Sequence, residues 1–207
     1  MKIAAIVPAY NEAKNIGSVL SVLTRSPLID EVIVVNDGST DNTAEVAARY
    51  RVRVIDLPAN VGKGGAMKIG ANNTDAEILL FIDADLIGLT LKHIADMLEP
   101  VRNGRAAMSV GIFDDGRFAT DLAQKLAPFL SGQRAMLHSI IDSVPEIENK
   151  RYGVEVALSR YAEKEDLPVV HVRLKNMAQV MKEEKLGFWK GFRARLRMYW
   201  EIIRLSW

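Results

Sequence analysis

Asp83-Ala84-Asp85 follows directly on the apolar run 77–82. In an extended segment, residues two apart point the same way, so this spacing sends two carboxylates to one side. Two carboxylates at the end of a strand suit a hard divalent cation, Mg2+ or Mn2+. Such an ion commonly completes its shell with water and substrate phosphate oxygens. The chain holds no cysteine, so Asp, Glu or the three His must supply any metal ligand. Taken alone, the same spacing also describes a solvated turn followed by a helix cap.

Two more polar clusters stand after apolar runs. In Asn36-Asp37-Gly38-Ser39-Thr40-Asp41, Asp37 could accept a hydrogen bond from a nucleobase N–H, whereas Ser39 to Asp41 equally fit a turn and an N-cap. Asn60-Val61-Gly62-Lys63-Gly64-Gly65 reads as a glycine-rich loop opening a helix. Free N–H groups and the helix dipole favour an anion there, and Lys63 adds a point charge. It is not a Walker loop, since G-x-x-x-x-G-K-[ST] is absent. Pro8-Ala9-Tyr10-Asn11-Glu12 stands where a dinucleotide fingerprint would follow the first strand. Those absences speak against ATPase and NAD chemistry. A nucleotidyltransferase would want a basic, glycine-rich loop at the same place, and it too is missing.

The elements that must position these clusters alternate. Residues 2–7, 31–35, 52–57 and 77–82 read as strands; 12–23, 41–50 and 62–73 read as helices. This order predicts a parallel sheet covered by helices, with ligands bound beyond the carboxyl ends of the strands. All four polar clusters fall at those ends. The second half is less regular. A strand is expected over 106–113, a helix over 118–129, a loop over 131–136, a helix over 152–161 and a strand over 168–174.

Of 207 residues, 49% are hydrophobic and 26% charged, the balance of a globular protein. With Lys+Arg 27 and Asp+Glu 26, the charge gives no reason to expect nucleic acid as a partner. The run 1–7 is short and ends at Pro8, which does not read as a signal peptide, and no stretch approaches the ~20 apolar residues of a membrane span. A cytoplasmic protein is expected, touching the inner face of the cell membrane. That contact would come from 188–207, where Lys190, Arg193, Arg195, Arg197 and Arg204 face Glu201 alone. Phe188, Phe192, Leu196, Tyr199 and Ile203 recur there at helical spacing, so the segment reads as a basic amphipathic helix suited to a membrane surface. The same helix could dock on its own domain or on a second copy of the chain, making a homodimer.

The motifs at Pro8–Glu12, Asn36–Asp41, Asn60–Ala66 and Asp83–Asp85, in this order and spacing, resemble family-2 glycosyltransferases of the GT-A (nucleotide-diphospho-sugar transferase) fold. The similarity covers residues 1–112 closely and leans toward the dolichyl-phosphate-mannose-synthase-like and phosphoglycerate-glucosyltransferase-like members. It implies an α/β fold with a mostly parallel central sheet flanked by helices and a C-terminal amphipathic helix. The catalytic domain would span 1–187, with a nucleotide-sugar half over 1–112 and an acceptor half over 113–187. It further implies that Pro8, Ala9, Tyr10 and Glu12 contact the nucleoside and Asp37 the base. Asn60, Gly62 and Lys63 would lie near base or phosphates, Asp83 and Ala84 on the ribose side, and Asp85 on the metal. The usual second motif is D-D-G-S; Asn36 replaces its first Asp, a change expected to matter little.

In the second half, Ser131-Gly132-Gln133-Arg134 resembles the acceptor-side loop of phospholipid-linked members, with Arg134 gripping an acceptor phosphate. The segment 152–158 resembles the one in which a Glu enters the site at the start of a helix. This places Tyr152 beside the acceptor and gives Glu155, flanked by Val154 and Val156, a setting that suits general-base work. By the same resemblance, His171 completes the metal shell with Asp85; an imidazole suits Mn2+ better than Mg2+. Inverting members often carry an E-D pair, but Glu165-Asp166 falls in a charged turn, so the stereochemical outcome stays open. The expected activity is metal-dependent transfer of a sugar, glucose first, from a UDP-sugar to a phosphate-bearing or lipid acceptor. Transfer from GDP-mannose to polyprenyl phosphate is the alternative within the class, and an inactive nucleotide-sugar- or membrane-binding module the alternative outside it.

Overall fold

A computed structural model describes residues 1–113, 131–145, 147 and 153–179. Its first half runs β1 (Ile3–Ala9), α1 (Ile16–Leu23), β2 (Glu31–Asn36), α2 (Thr43–Ala47), β3 (Arg53–Asp56), α3 (Lys63–Asn72) and β4 (Ile78–Phe81). The short β5 (Leu86–Ile87) and α4 (Leu91–Arg102) follow. The second half contributes β6 (Met108–Phe113), β7 (Arg134–Leu137), α5 (His138–Ser143), α6 (Val154–Lys164), β8 (Val169–Leu174) and β9 (Ala178–Gln179).

Seven strands form one sheet in the order β3-β2-β1-β4-β7-β6-β8, and β5 pairs with β9 apart from it. The four strands of the first half are parallel, as their helical crossovers require. β7 lies antiparallel between β4 and β6, and β8 returns parallel to β6. β1 is apolar throughout because both its faces are covered. Ile3, Ala5 and Val7 join a cluster with Leu20, Ile94 and Leu98, while Ala4 and Ile6 join Met67, Ile141 and Leu158 on the other side. Each large aliphatic side chain buried in this way contributes roughly 1.5–3 kcal/mol. α3 presents Gly64, Gly65, Ala66, Gly70 and Ala71 to the sheet. A Cβ on Gly70 would come within 2.5 Å of Ile6 Cγ2, so the helix sits close on β1 and cannot carry larger residues there.

Two differences from the sequence reading have physical causes. The loop expected over 131–136 is a strand from Arg134 onward, wedged into the sheet centre. Gly132, Gln133 and Arg134 look like turn chemistry, but β7 is only four residues long, and Arg134 with Gln133 just before it is buried by neighbours remote in sequence. The helix α4, capped by the Thr90 hydroxyl and containing Pro100 in its last turn, was not expected. The helix expected over 118–129, the residue Tyr152 and the tail 188–207 lie outside the described residues.

Candidate active site

The polar clusters do gather at the carboxyl ends of β1, β2 and β4, and named bonds join them. Asp37, just past β2 and buried, accepts the N–H of Val61 on one carboxylate oxygen (2.7 Å) and that of Gly62 on the other (3.0 Å). Asn60 Nδ2 donates to the Asp37 carbonyl at 3.2 Å. The loop before α3 is thereby clamped to the end of β2, and Gly62 takes the positive φ of 87° needed to enter the helix. Asn36 Nδ2 donates to Asp56 at 2.7 Å, and the Ser39 hydroxyl donates to Asn36 Oδ1.

A second set of bonds ties the loop after β1 to the loop after β2. Asn11 holds a positive φ of 56°, donates its N–H to Ser39 Oγ (2.9 Å) and accepts the N–H of Thr40 (2.8 Å). The N–H of Glu12 donates to Thr43 Oγ1 at 2.8 Å and that of Ala13 to Asp41 at 3.1 Å. Glu12 in turn accepts Asn15 Nδ2 at 2.9 Å. Ser39, Thr40 and Asp41 are thus braces between loops as well as turn residues. Ala9 is buried, Pro8 partly so, and Tyr10 stands 48% exposed above them.

Lys63, the first residue of α3, reaches across the end of β4. Its Nζ lies 2.6 Å from Asp83 Oδ1 and 2.7 Å from Glu155 Oε1. Burial by itself would push the Lys63 ammonium down, but the charges and hydrogen bonds of Asp83 and Glu155 outweigh it and hold the group well above the ordinary lysine value. Lys63 is therefore a fixed cation shared by two carboxylates, one from each half of the chain. Glu155, expected among apolar neighbours, instead faces this ammonium from the first turn of α6.

The residues expected to meet an acceptor turn inward. Gln133 and Arg134 have no exposed surface, and Ser131 and Gly132 are also buried. Gln133 Nε2 donates to Asp83 Oδ2 at 2.8 Å. Arg134 Nε donates to the Ser131 carbonyl at 3.1 Å. Burial pushes the Arg134 guanidinium down to about 10, opposed by the Glu155 carboxylate, so it keeps its charge at neutral pH. In the sheet register, Arg134 and His171 flank the same residue, Val110, and so share one face. His171 is exposed at the sheet edge; burial of part of its ring and the nearby Arg134 charge push its imidazole down, toward the neutral form that can bind a metal.

Ala84 and Asp85 continue from Asp83 toward β5, buried to 3% and 7% exposure. Among the described residues, no three His, Asp or Glu side chains gather closely enough to cage a cation by themselves. The donor set still fits a hard divalent ion, because Asp85 offers carboxylate oxygen and such an ion takes its remaining ligands from water and phosphate.

The sequence profile of glycosyl transferase family 2 matches residues 4–154. The chain belongs to that family. A dolichyl-phosphate beta-glucosyltransferase of Homo sapiens is 40% identical over 100 residues, covering 41% of this chain and 31% of that enzyme. An uncharacterized glycosyltransferase of Escherichia coli (strain K12), YaiP, is 43% identical over 88 residues, covering 40% of this chain and 22% of that protein. These matches span less than a third of either relative. Among solved structures, glucosyl-3-phosphoglycerate synthase from Mycobacterium tuberculosis with Mn2+, UDP and glucosyl-3-phosphoglycerate superimposes with a TM-score of 0.70 at 28% identity, covering 86% of this chain and 72% of that one. The same enzyme with Mg2+ and UDP gives 0.71 at 27% identity, covering 86% and 71%. The fold of this family-2 member is GT-A, with the mixed seven-stranded sheet described above.

Sequence reasoning missed the internal partners of this site. Nothing in the spacing indicated that Lys63 would bind Glu155, 92 positions later, or that Gln133 would reach Asp83. The Gln133 contact follows from β7 entering the sheet beside β4, and the Glu155 contact from where α6 begins, placements no local signal carries.

Proposed function

We propose that this chain moves glucose from UDP-glucose to a phosphate-bearing acceptor with the help of Mg2+ or Mn2+. The observation that carries the proposal is the linked rim: Asp37 clamps the loop before α3, Lys63 opens that helix, and Lys63 pairs with Asp83, two residues before Asp85. Three loops that a nucleoside diphosphate would have to touch are held in one place. Human and mycobacterial relatives with glucosyl donors or UDP support the choice of base and sugar.

Cleaving the anomeric C–O bond leaves negative charge on a departing diphosphate, so groups that meet this charge lower the barrier. Asp85 would hold the cation, with His171 as a second ligand, and the bound ion would neutralise the diphosphate. Pro8, Ala9, Tyr10 and Glu12 would line the nucleoside, and Asp37 the base edge. Asp83 would meet the ribose. The N–H groups of Lys63 and Gly64 at the start of α3 and the Lys63 ammonium would face the phosphates. Glu155, on the acceptor half, would orient an acceptor hydroxyl or the sugar. An acceptor phosphate oxygen is already ionised and needs no strong base.

The acceptor is assigned to the 131–155 side, with Arg134 acting through Ser131 and Glu155. The human relative's name includes dolichyl phosphate and the mycobacterial enzyme makes a phosphoglycerate glycoside, so both acceptors carry phosphate. No helix among the described residues is long and apolar enough to cross a membrane. Contact of 188–207 with an anionic membrane, and pairing of two copies, belong to this proposal; vesicle sedimentation and analytical ultracentrifugation test them.

The central test measures UDP release from UDP-glucose, against GDP release from GDP-mannose, with Mn2+, Mg2+ or chelator. Phosphoglycerate and polyprenyl phosphate serve as acceptors. UDP release that requires metal and falls at least 100-fold in Asp85→Ala is the expected result. Metal-independent turnover, or full activity in that variant, would reject the proposal.

A further inference from the structure

We propose that Gln133 is a positioning residue for the donor site: it locks Asp83, and through it Lys63, in the geometry that receives the nucleotide-sugar. The inference rests on the functional reading above and assigns Gln133 a task on the donor side, not at the acceptor.

Asp83 is held from two directions. Lys63 Nζ meets Oδ1 at 2.6 Å and Gln133 Nε2 meets Oδ2 at 2.8 Å. One partner opens α3 in the first half; the other immediately precedes β7 in the second. With both oxygens engaged, rotating the carboxylate about its last bond breaks two interactions at once. An ionised carboxylate only accepts hydrogen bonds, so the Gln133 amide must present nitrogen to it and oxygen away from it. That outward oxygen faces Ser131 Oγ at 3.1 Å, whose proton is shared with the carbonyl of Gly111. The Gln133 carbonyl accepts the N–H of Gly111 at 2.9 Å, fixing its backbone to β6. Neither the amide orientation nor the backbone is free to drift.

Two glycines make room for this arrangement. A Cβ on Gly132 would collide with the Asp83 carboxylate and with Lys63 Nζ, so backbone rather than side chain covers the ion pair. A Cβ on Gly111 would collide first with Leu174 Cδ1, then with Met97 Sδ at 3.0 Å, and would also press on Gln133 Cβ at 3.2 Å. Gln133 itself has no exposed surface, which removes it from direct contact with a soluble acceptor in this arrangement. Its polar end is directed at Asp83, and its burial makes that bond costly to lose.

Gln133→Met keeps the volume and removes the donor; Gln133→Glu keeps the shape and puts a second carboxylate against Asp83. Calorimetric titration with UDP and Mn2+, steady-state kinetics with varied UDP-glucose and varied acceptor, and thermal melts at neutral pH are made on the full chain. The expected result for Gln133→Met is about tenfold weaker UDP binding and a similar rise in the UDP-glucose KM, with the acceptor KM unchanged. Gln133→Glu should melt well below the wild type, and Gln133→Glu combined with Asp83→Asn, which restores a donor and an acceptor in reversed order, should recover part of the difference. An unchanged donor KM in Gln133→Met, a shift confined to the acceptor KM, or a double variant that melts no higher than Gln133→Glu alone would overturn the inference. If wild-type protein binds no UDP, the functional reading itself fails, and the melts of the single and double variants still report whether Gln133 holds Asp83.

Discussion

Asp37 and Asp83 stand at the carboxyl ends of β2 and β4, on either side of β1, yet the protein holds them by opposite means. Asp37 is gripped by two backbone N–H groups from the loop before α3, 24 and 25 positions away. Asp83 is gripped by side chains, Lys63 and Gln133, one from each half of the chain. A carboxylate bound by backbone donors depends on a loop conformation; one bound by a lysine and an amide depends on how two half-domains meet. The first clamp is complete within the parallel unit β1–β4. The second exists only once β7 has inserted beside β4 and α6 has brought Glu155 to Lys63. The rim is therefore locally built on its β2 side and assembled at long range on its β4 side.

The sharpest way to break the long-range side is Lys63→Met. It leaves Asp83 and Glu155 facing one another without their shared cation, in a place where their side chains are only 12% and 14% exposed. Breaking such a pair from one side should cost about 3 kcal/mol, near the lower end for buried ion pairs because some solvent still reaches it. For a chain of this size that is a fall of roughly 10 °C in melting temperature. Lys63 has a raised value in the folded state, so its contribution is complete below the ordinary 10.5 and is lost only as pH climbs through the raised value. Melts at pH 7 and pH 9 should show the same gap between wild type and variant, and UDP release from UDP-glucose should fall beyond detection. A gap that closes by pH 9 would mean that Lys63 is not held by these two carboxylates.

Breaking the local side should cost less. Asp37→Asn leaves one acceptor oxygen and turns an NH2 toward a backbone N–H, losing one charge-assisted bond and opposing two donors. About 2 kcal/mol is expected. The damage should stay near 57–62: amide exchange at Val61 and Gly62 should speed up, while the amides of β7 and α6 keep their protection. The UDP-glucose KM should rise by at least tenfold. Exchange that speeds up equally at Arg134 and Glu155 would erase the distinction between the two clamps.

The same distinction explains how much was legible in the sequence. The parallel half could be read because each strand is a continuous apolar run and each helix has its own period, so β1, β2, β4 and α3 lie within a residue or two of expectation. The motif residues after β2 and β4 follow from those strands ending where they do. What could not be read depends on partners. Gln133 and Arg134 look like turn residues in a string of four, and only burial at the sheet centre makes a strand and an internal donor of them. Glu155 was placed correctly at the start of a helix, but its apolar sequence neighbours point away from its real environment. Val154 and Val156 face the core while Glu155 meets Lys63. Sequence adjacency reports which residues share a helix, not which charge waits opposite.

The smallest effect should come from Asn36, where the chain departs from its family's usual D-D-G-S. Asn36 and Asp56 are register partners on neighbouring parallel strands, joined by Nδ2 to Oδ1 at 2.7 Å. Asn36→Asp would set two carboxylates side by side, and like charges directly opposite on a sheet are destabilising. Asp56 is exposed, so the penalty should be only about 0.5–1 kcal/mol. The Ser39 hydroxyl can still donate to the new carboxylate, so the loop after β2 keeps its brace. The exchange Asn36→Asp with Asp56→Asn restores a donor and an acceptor in reversed order. Urea melts of the single and double variants should therefore show the loss and then its recovery, with the UDP-glucose KM changing less than threefold in both. A large rise in KM that the double variant fails to reverse would place Asn36 against the nucleotide itself. The β2 rim would then hold a second recognition side chain, and its resemblance to a purely structural clamp would end there.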